Sequence, residues 1–122
     1  VRTVSTSVGS STRNQIISDA TTLYDRVIVA TYDWCSIYTS QQQTLYQQLC
    51  NISTPVVFVS FGSPYPLLQF PSVQTFLTGY CSQDDEQKYA ADVICGNYTA
   101  PGKLPVNILG TPIEPYLWKY YQ

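Results

Sequence analysis

The chain is expected to fold as an α/β protein, a three-layer α/β/α sandwich around a mainly parallel sheet. Three observations lead there. The run Val56-Val57-Phe58-Val59-Ser60-Phe61, closed off by Pro55 before it and Gly62-Ser63-Pro64 after it, is almost wholly β-branched or aromatic, as a strand buried on both faces should be. A second run of the same kind, Val27-Ile28-Val29-Ala30-Thr31-Tyr32, precedes it. Stretches with helical spacing lie between and beyond these runs, and strands buried on both faces need helices on both sides. At 122 residues, 44% of them hydrophobic, the chain has enough material for one core. The expected organisation is a sandwich domain over residues 1–110 followed by a proline- and aromatic-rich tail over 111–122.

In chain order, residues 1–8 alternate loosely and predict a first strand built on Val1, Val4 and Val8. Ser10 or Ser11 is placed to cap a helix whose apolar face would be Ile16, Ile17, Ala20, Leu23 and Tyr24. After the strand at Val27 and a loop over residues 33–40, Ser40 would cap a glutamine-rich helix with Leu45 and Leu49 inward. The segment Pro64–Pro71 is too rich in proline for a full helix and reads as an ordered crossover, leading to a further strand at Phe76–Tyr80. Ser82 and Asp85 resemble a capping pair, and Asp84-Asp85-Glu86 puts acids where a helix dipole favours them. That helix would bury Tyr89, Ala90, Val93 and Ile94 and end at Gly96, with Leu104–Ile108 as a last extended segment.

Composition narrows the partners. Only 11% of residues are charged, the net charge is -2, and the six basic residues are scattered, which speaks against nucleic acid and anionic membrane. No apolar run approaches the ~20 residues of a membrane helix, and the first residues lack a signal-peptide core, so any such leader is expected to have been removed. Two sequons, Asn51-Ile52-Ser53 and Asn97-Tyr98-Thr99, accompany four cysteines and no methionine. This combination points to a secreted, N-glycosylated protein.

Histidine is absent, which excludes Ser-His-Asp and Cys-His nucleophilic systems and histidine-containing metal sites. No C-x-x-C pair suggests zinc, and no glycine-rich phosphate loop is present; no cofactor or metal is expected. Sugar hydrolysis needs two carboxylates across a substrate. Asp33 and, with it, Trp34 follow a strand at the carboxyl edge and are the candidate sugar contacts, with Tyr32 and Tyr38 beside them as a stacking platform. A loop turn is the favoured account of Asp33, and helix-terminus stabilisation that of Asp84, Asp85 and Glu86, which could otherwise approach the same edge. Among the cysteines, Cys35 and Cys81 each follow a strand, whereas Cys50 and Cys95 each end a helix. Topology therefore predicts Cys35–Cys81 and Cys50–Cys95 bridges, with free buried thiols as the alternative.

The succession Val27–Thr31, Leu45–Leu49, Pro55–Tyr65, Phe70–Val73, Leu77–Tyr80, Val93–Gly96 and Pro101–Val106 resembles the C-terminal α/β-sandwich domain of family-3 glycoside hydrolases, above all the β-N-acetylglucosaminidase-like branch. The specific parts are the Ser63-Pro64-Tyr65 turn and the Pro101-Gly102-Lys103-Leu104-Pro105-Val106 segment, in a match covering about two-thirds of the chain. In that family the nucleophile and the acid/base lie on a barrel preceding this domain, and these residues contain no barrel. An acidic residue usual after Pro-Tyr is Pro66 here. The resemblance thus implies the non-catalytic half of such an enzyme.

The tail concentrates Tyr116, Leu117, Trp118, Tyr120 and Tyr121, an apolar load that calls for cover by its own domain or by a neighbour. Val1 and Val4, on a first strand without guarding lysines, add a second adhesive end. The expectation is a non-catalytic, extracellular structural domain whose partners are copies of itself and covalent N-glycans, in an assembly that could be fibril-like. An accessory domain of a family-3-like hydrolase and a carbohydrate-binding module are the alternatives.

Overall fold

A computed structural model of the protein describes residues 1–32, 38–102, 104 and 108. The element order is α1 (Ser10–Thr22), β1 (Val27–Thr31), α2 (Ser40–Leu49), β2 (Val56–Ser60), α3 (Pro66–Gln69), β3 (Thr75–Thr78) and α4 (Asp84–Ile94). The three strands form one parallel sheet in the order β1-β2-β3, so the expected α/β class is found. The organising strand predicted at Val56 is the central one.

Alternation along the strands divides the core into two layers. Val29, Phe58 and Phe76 stand in one cross-strand row and point into the larger layer with Ala20 of α1, Leu45, Tyr46 and Leu49 of α2, and Leu67 of α3. Aromatic rings knit this layer. Phe58 stacks on Phe76 with centroids 5.7 Å apart, meets Tyr46 edge-on at 5.5 Å, and leans on Phe70 at 5.5 Å. The next row, Ala30, Val59 and Leu77, faces the other way, and there Val59 and Leu77 pack with Ala90 and Val93 of α4. Among the described residues three helices thus cover one face and one helix the other.

Local sequence explains most boundaries. Helix α2 begins with a reciprocal capping box: Thr39 accepts from the Gln42 N–H while the Gln42 side chain accepts from the Thr39 N–H. The cap is therefore Thr39 and not Ser40. Helix α3 is a single turn with Pro66 in its first turn, where a missing N–H costs nothing. Helix α4 carries Asp84, Asp85 and Glu86 in its first turn and ends before Gly96 at φ 76°, the left-handed position that favours glycine. Ser82 makes no cap; Gln83 occupies that place without a side-chain bond.

Other expectations fail. Residues 1–9 form no strand: Val8 is buried and Val4 packs against the larger layer, while Val1 is fully exposed. This segment is fastened by side chains instead, with Arg2 donating to Asp19 at 2.7 Å and the Thr39 hydroxyl donating to the Thr6 carbonyl. Helix α1 starts after Gly9 without a side-chain cap. It buries Ala20, half-buries Ile16 and Ile17, and leaves Leu23 and Tyr24 beyond its end in solvent. On α4, Tyr89 is exposed and Ile94 only half-buried. Of the segment Leu104–Ile108, Leu104 and Ile108 are described, and both pack against the larger layer.

Candidate functional site

Strand β1 ends the sheet among the described residues, and its backbone shows which groups face outward. The Val27 N–H donates to the Pro55 carbonyl and the Phe61 N–H to the Thr31 carbonyl, each at 2.9 Å. Bonding alternates along a parallel ladder, so Val27, Val29 and Thr31 serve β2, and the N–H and C=O of Ile28 and Ala30 point away from the sheet. The side chains of Ile28 and Ala30 align with Val57 and Val59, on the face covered by α4. That cover does not extend over β1. Ile28 is 55% exposed, Tyr32 60%, and Ala30 is exposed too. Leu23 and Tyr24, between α1 and the amino end of the strand, are exposed as well. In sequence the strand is flanked by Asp25 and Arg26 before it and by Asp33 after it, and among the described residues no lysine lies within it or beside it in the chain.

The carboxyl edge of the sheet holds the second concentration of features. The Ser60 hydroxyl donates to the Ser63 carbonyl at 2.7 Å, closing the turn after β2, and the Gly79 N–H donates to the Ser60 carbonyl at 2.8 Å. Tyr80 leaves β3 at φ 60°, a left-handed conformation costly for a side chain of its size. Burial first, and the nearby Tyr65 second, raise the Tyr80 phenol above its ordinary pKa. Between β3 and α4 lies an apolar cavity of about 250 Å³, lined among others by Leu77, Tyr80, Glu86, Tyr89, Val93 and Tyr98. Tyr89 and Tyr98 lean together with centroids 6.0 Å apart.

Of the expected sugar contacts, Asp33 and Trp34 lie outside the described residues. Tyr38 is no part of a stacking platform: it is buried at 6% exposure, edge-on to Tyr46, with its hydroxyl 3.1 Å from that of Thr31. Tyr32 alone of the described aromatics in that set is open. The tail residues Tyr116, Leu117, Trp118, Tyr120 and Tyr121 also lie outside the described residues. Among the described residues no group of three or more His, Cys, Asp or Glu is arranged to hold a metal, and no helix is long and apolar enough to cross a membrane.

The Cys50–Cys95 bridge is not formed; both thiols are free. The reason is layering. Cys50 closes α2 inside the larger core, whereas Cys95 closes α4 on the opposite face and is exposed. The two lie at one pole of the sheet but not on one side of it. Burial pushes the Cys50 thiol up to about 11. Cys81 is free and half-buried, and its expected partner Cys35 lies outside the described residues. Both sequon asparagines are exposed, as are Ser53 and Thr99. Asn51 follows α2, where its amide donates to the Gln47 carbonyl at 2.6 Å, and Asn97 follows α4.

No family model matches the chain, and searches of curated proteins and of solved structures find no match. The edge patch of Leu23, Tyr24, Ile28 and Tyr32 escaped sequence reasoning. Leu23, Tyr24 and Ile28 read as core by pattern; the end of α1 at Thr22 leaves the first two in solvent, and strand order exposes Ile28.

Proposed function

We propose that this chain is a non-catalytic, secreted glycoprotein domain that serves as a structural, self-associating building block of an extracellular assembly. The observation that carries the reading is the open edge of β1, where outward backbone groups of Ile28 and Ala30 coincide with the exposed side chains of Ile28 and Tyr32, while Leu23 and Tyr24 are exposed just before the strand in sequence. Such an edge recruits another strand unless charge, proline or cover prevents it. The adhesive ends named from sequence change accordingly. Val4 is engaged by its own core, so the unguarded edge belongs to Val27–Thr31 and not to residues 1–8. The aromatic tail from Tyr116 to Tyr121 remains a second adhesive element of the proposal. Exposed Asn51 and Asn97 support glycosylation, and low charge with two sequons supports an extracellular setting.

A second reading is favoured by the carboxyl edge: an accessory domain of a family-3-like glycoside hydrolase, presenting the aromatic-lined cavity beside Tyr80 to a sugar. A stand-alone carbohydrate-binding module would use the same edge, with Trp34 as its test position.

Sedimentation of the native material, repeated after deglycosylation and after denaturation, separates these. A large native particle that reduces to a chain near 13.7 kDa supports the building block. A denatured chain several times that mass points to the hydrolase. A native monomer with sugar binding lost on Trp34→Ala points to the binding module.

A further inference from the structure

Resting on the reading of self-association, we infer that the free edge of β1 is a two-fold interface at which a second copy of this chain adds its own β1 antiparallel, Ile28 of one copy pairing with Ala30 of the partner subunit. The backbone is self-complementary for this arrangement. The outward groups of Ile28 and Ala30 flank Val29 symmetrically. The one register that lays the whole strand on itself sets Val29 against the partner's Val29 at the two-fold axis. It makes Ile28 and the partner's Ala30 a pair exchanging both N–H···O=C bonds, and the symmetry repeats that pair.

The side chains fit the same register. Ile28 would lie beside the small Ala30 of the partner subunit, a large residue against a small one on the bare face. Arg26 would stand opposite Tyr32 of the partner subunit, a guanidinium against an exposed aromatic ring. Within Val27–Thr31 the strand carries no charge, so no like charges meet across that span. The amino end of each strand brings its exposed Leu23 and Tyr24 toward the carboxyl end of the other.

Area sets the strength. Four large side chains per copy, each more than half exposed, offer on the order of 100 Å² apiece, or about 800 Å² from two copies before backbone is counted. Specific interfaces begin near ~1,200 Å² in total. The pairing is therefore that of a weak, reversible dimer, which further contacts would consolidate in an assembly.

The test uses the full chain. Ile28→Cys and Ala30→Cys variants, mixed and mildly oxidised, should form a covalent dimer, while each variant alone and the wild type, which controls for the native cysteines, should not. Cα atoms of a bonded antiparallel pair lie ~5.5 Å apart, within disulfide reach, whereas like positions fall outside it. In sedimentation equilibrium, Ala30→Lys should weaken association by on the order of tenfold, with far-UV dichroism confirming its fold. A wild type that associates equally well with Ala30→Lys, and gives no mixed cross-link, overturns this interface while self-association stands. Association abolished by Trp118→Ser but not by Ala30→Lys overturns it in favour of the C-terminal segment as occupant. A wild type that stays monomeric at millimolar concentration overturns both the interface and the building-block reading.

Discussion

The two faces of the sheet are built to different depths. One is closed by α1, α2 and α3 around a cluster of aromatic rings in which Phe58 is fully buried. Among the described residues the other is closed by one helix, α4, over Val59 and Leu77, with Phe61 and Ala100 at its margin, and leaves Ile28 and Ala30 of β1 exposed. The thick face holds the fold together. The thin face is where surface is left over for a partner, and both the open edge and the cavity beside Tyr80 belong to its side. The same strand serves both: Val29 anchors it below while Ile28 stands in solvent above.

Three substitutions and one titration set the difference against measurement. Phe58→Ala should cost about 3–5 kcal/mol, because a ring packed against Tyr46, Phe70 and Phe76 leaves a cavity that aromatic neighbours fill poorly. Leu77→Ala on the thin face should fall near the low end of its class, about 2–3 kcal/mol, since a single helix can settle onto the gap. Equal losses in urea unfolding would erase the distinction between the faces. Cys50 sharpens it by pH. Its folded pKa near 11 exceeds the ordinary 9.0, so its contribution is complete below pH 9 and disappears as pH rises toward 11, where the unfolded chain has already released the proton. The loss should be at most about 2–3 kcal/mol and should vanish from the pH profile of Cys50→Ala. Smallest is Ile28→Thr, expected within about 0.5 kcal/mol of wild type in the monomer, as a β-branched exchange at an exposed strand position.

How much of this was legible depended on whether a signal was local. The β2 run, the inward Leu45 and Leu49, the acids opening α4 and the left-handed Gly96 each follow from neighbouring residues, and each is found as expected. Val1, Val4 and Val8 are spaced three and four apart, which is no true alternation, and the segment is a strap whose Val4 and Val8 pack on the larger core. Leu23 and Tyr24 continue the helical spacing of Ile16 and Ala20, but α1 stops at Thr22 before it can turn them inward. The Cys50–Cys95 pairing failed at a different level. Sequence order indicates the pole at which a helix ends, whereas the side of the sheet it lies on is decided by the crossovers. The open edge was illegible for the same reason: Val27–Thr31 has the composition of an interior strand, and only the order β1-β2-β3 makes it terminal among the described residues.

That order also bears on how the chain reaches its folded state. Each strand pairs with the next one in sequence, so no strand waits for a distant partner. The crossover closed when Val57 meets Thr75 is shorter than the one closed when Val27 meets Val56. Loop-closure entropy grows with the logarithm of length, so both steps have similar costs and the β2–β3 half holds a small advantage. For a parallel sheet, an architecture whose long-range pairings ordinarily slow folding, this is a short search.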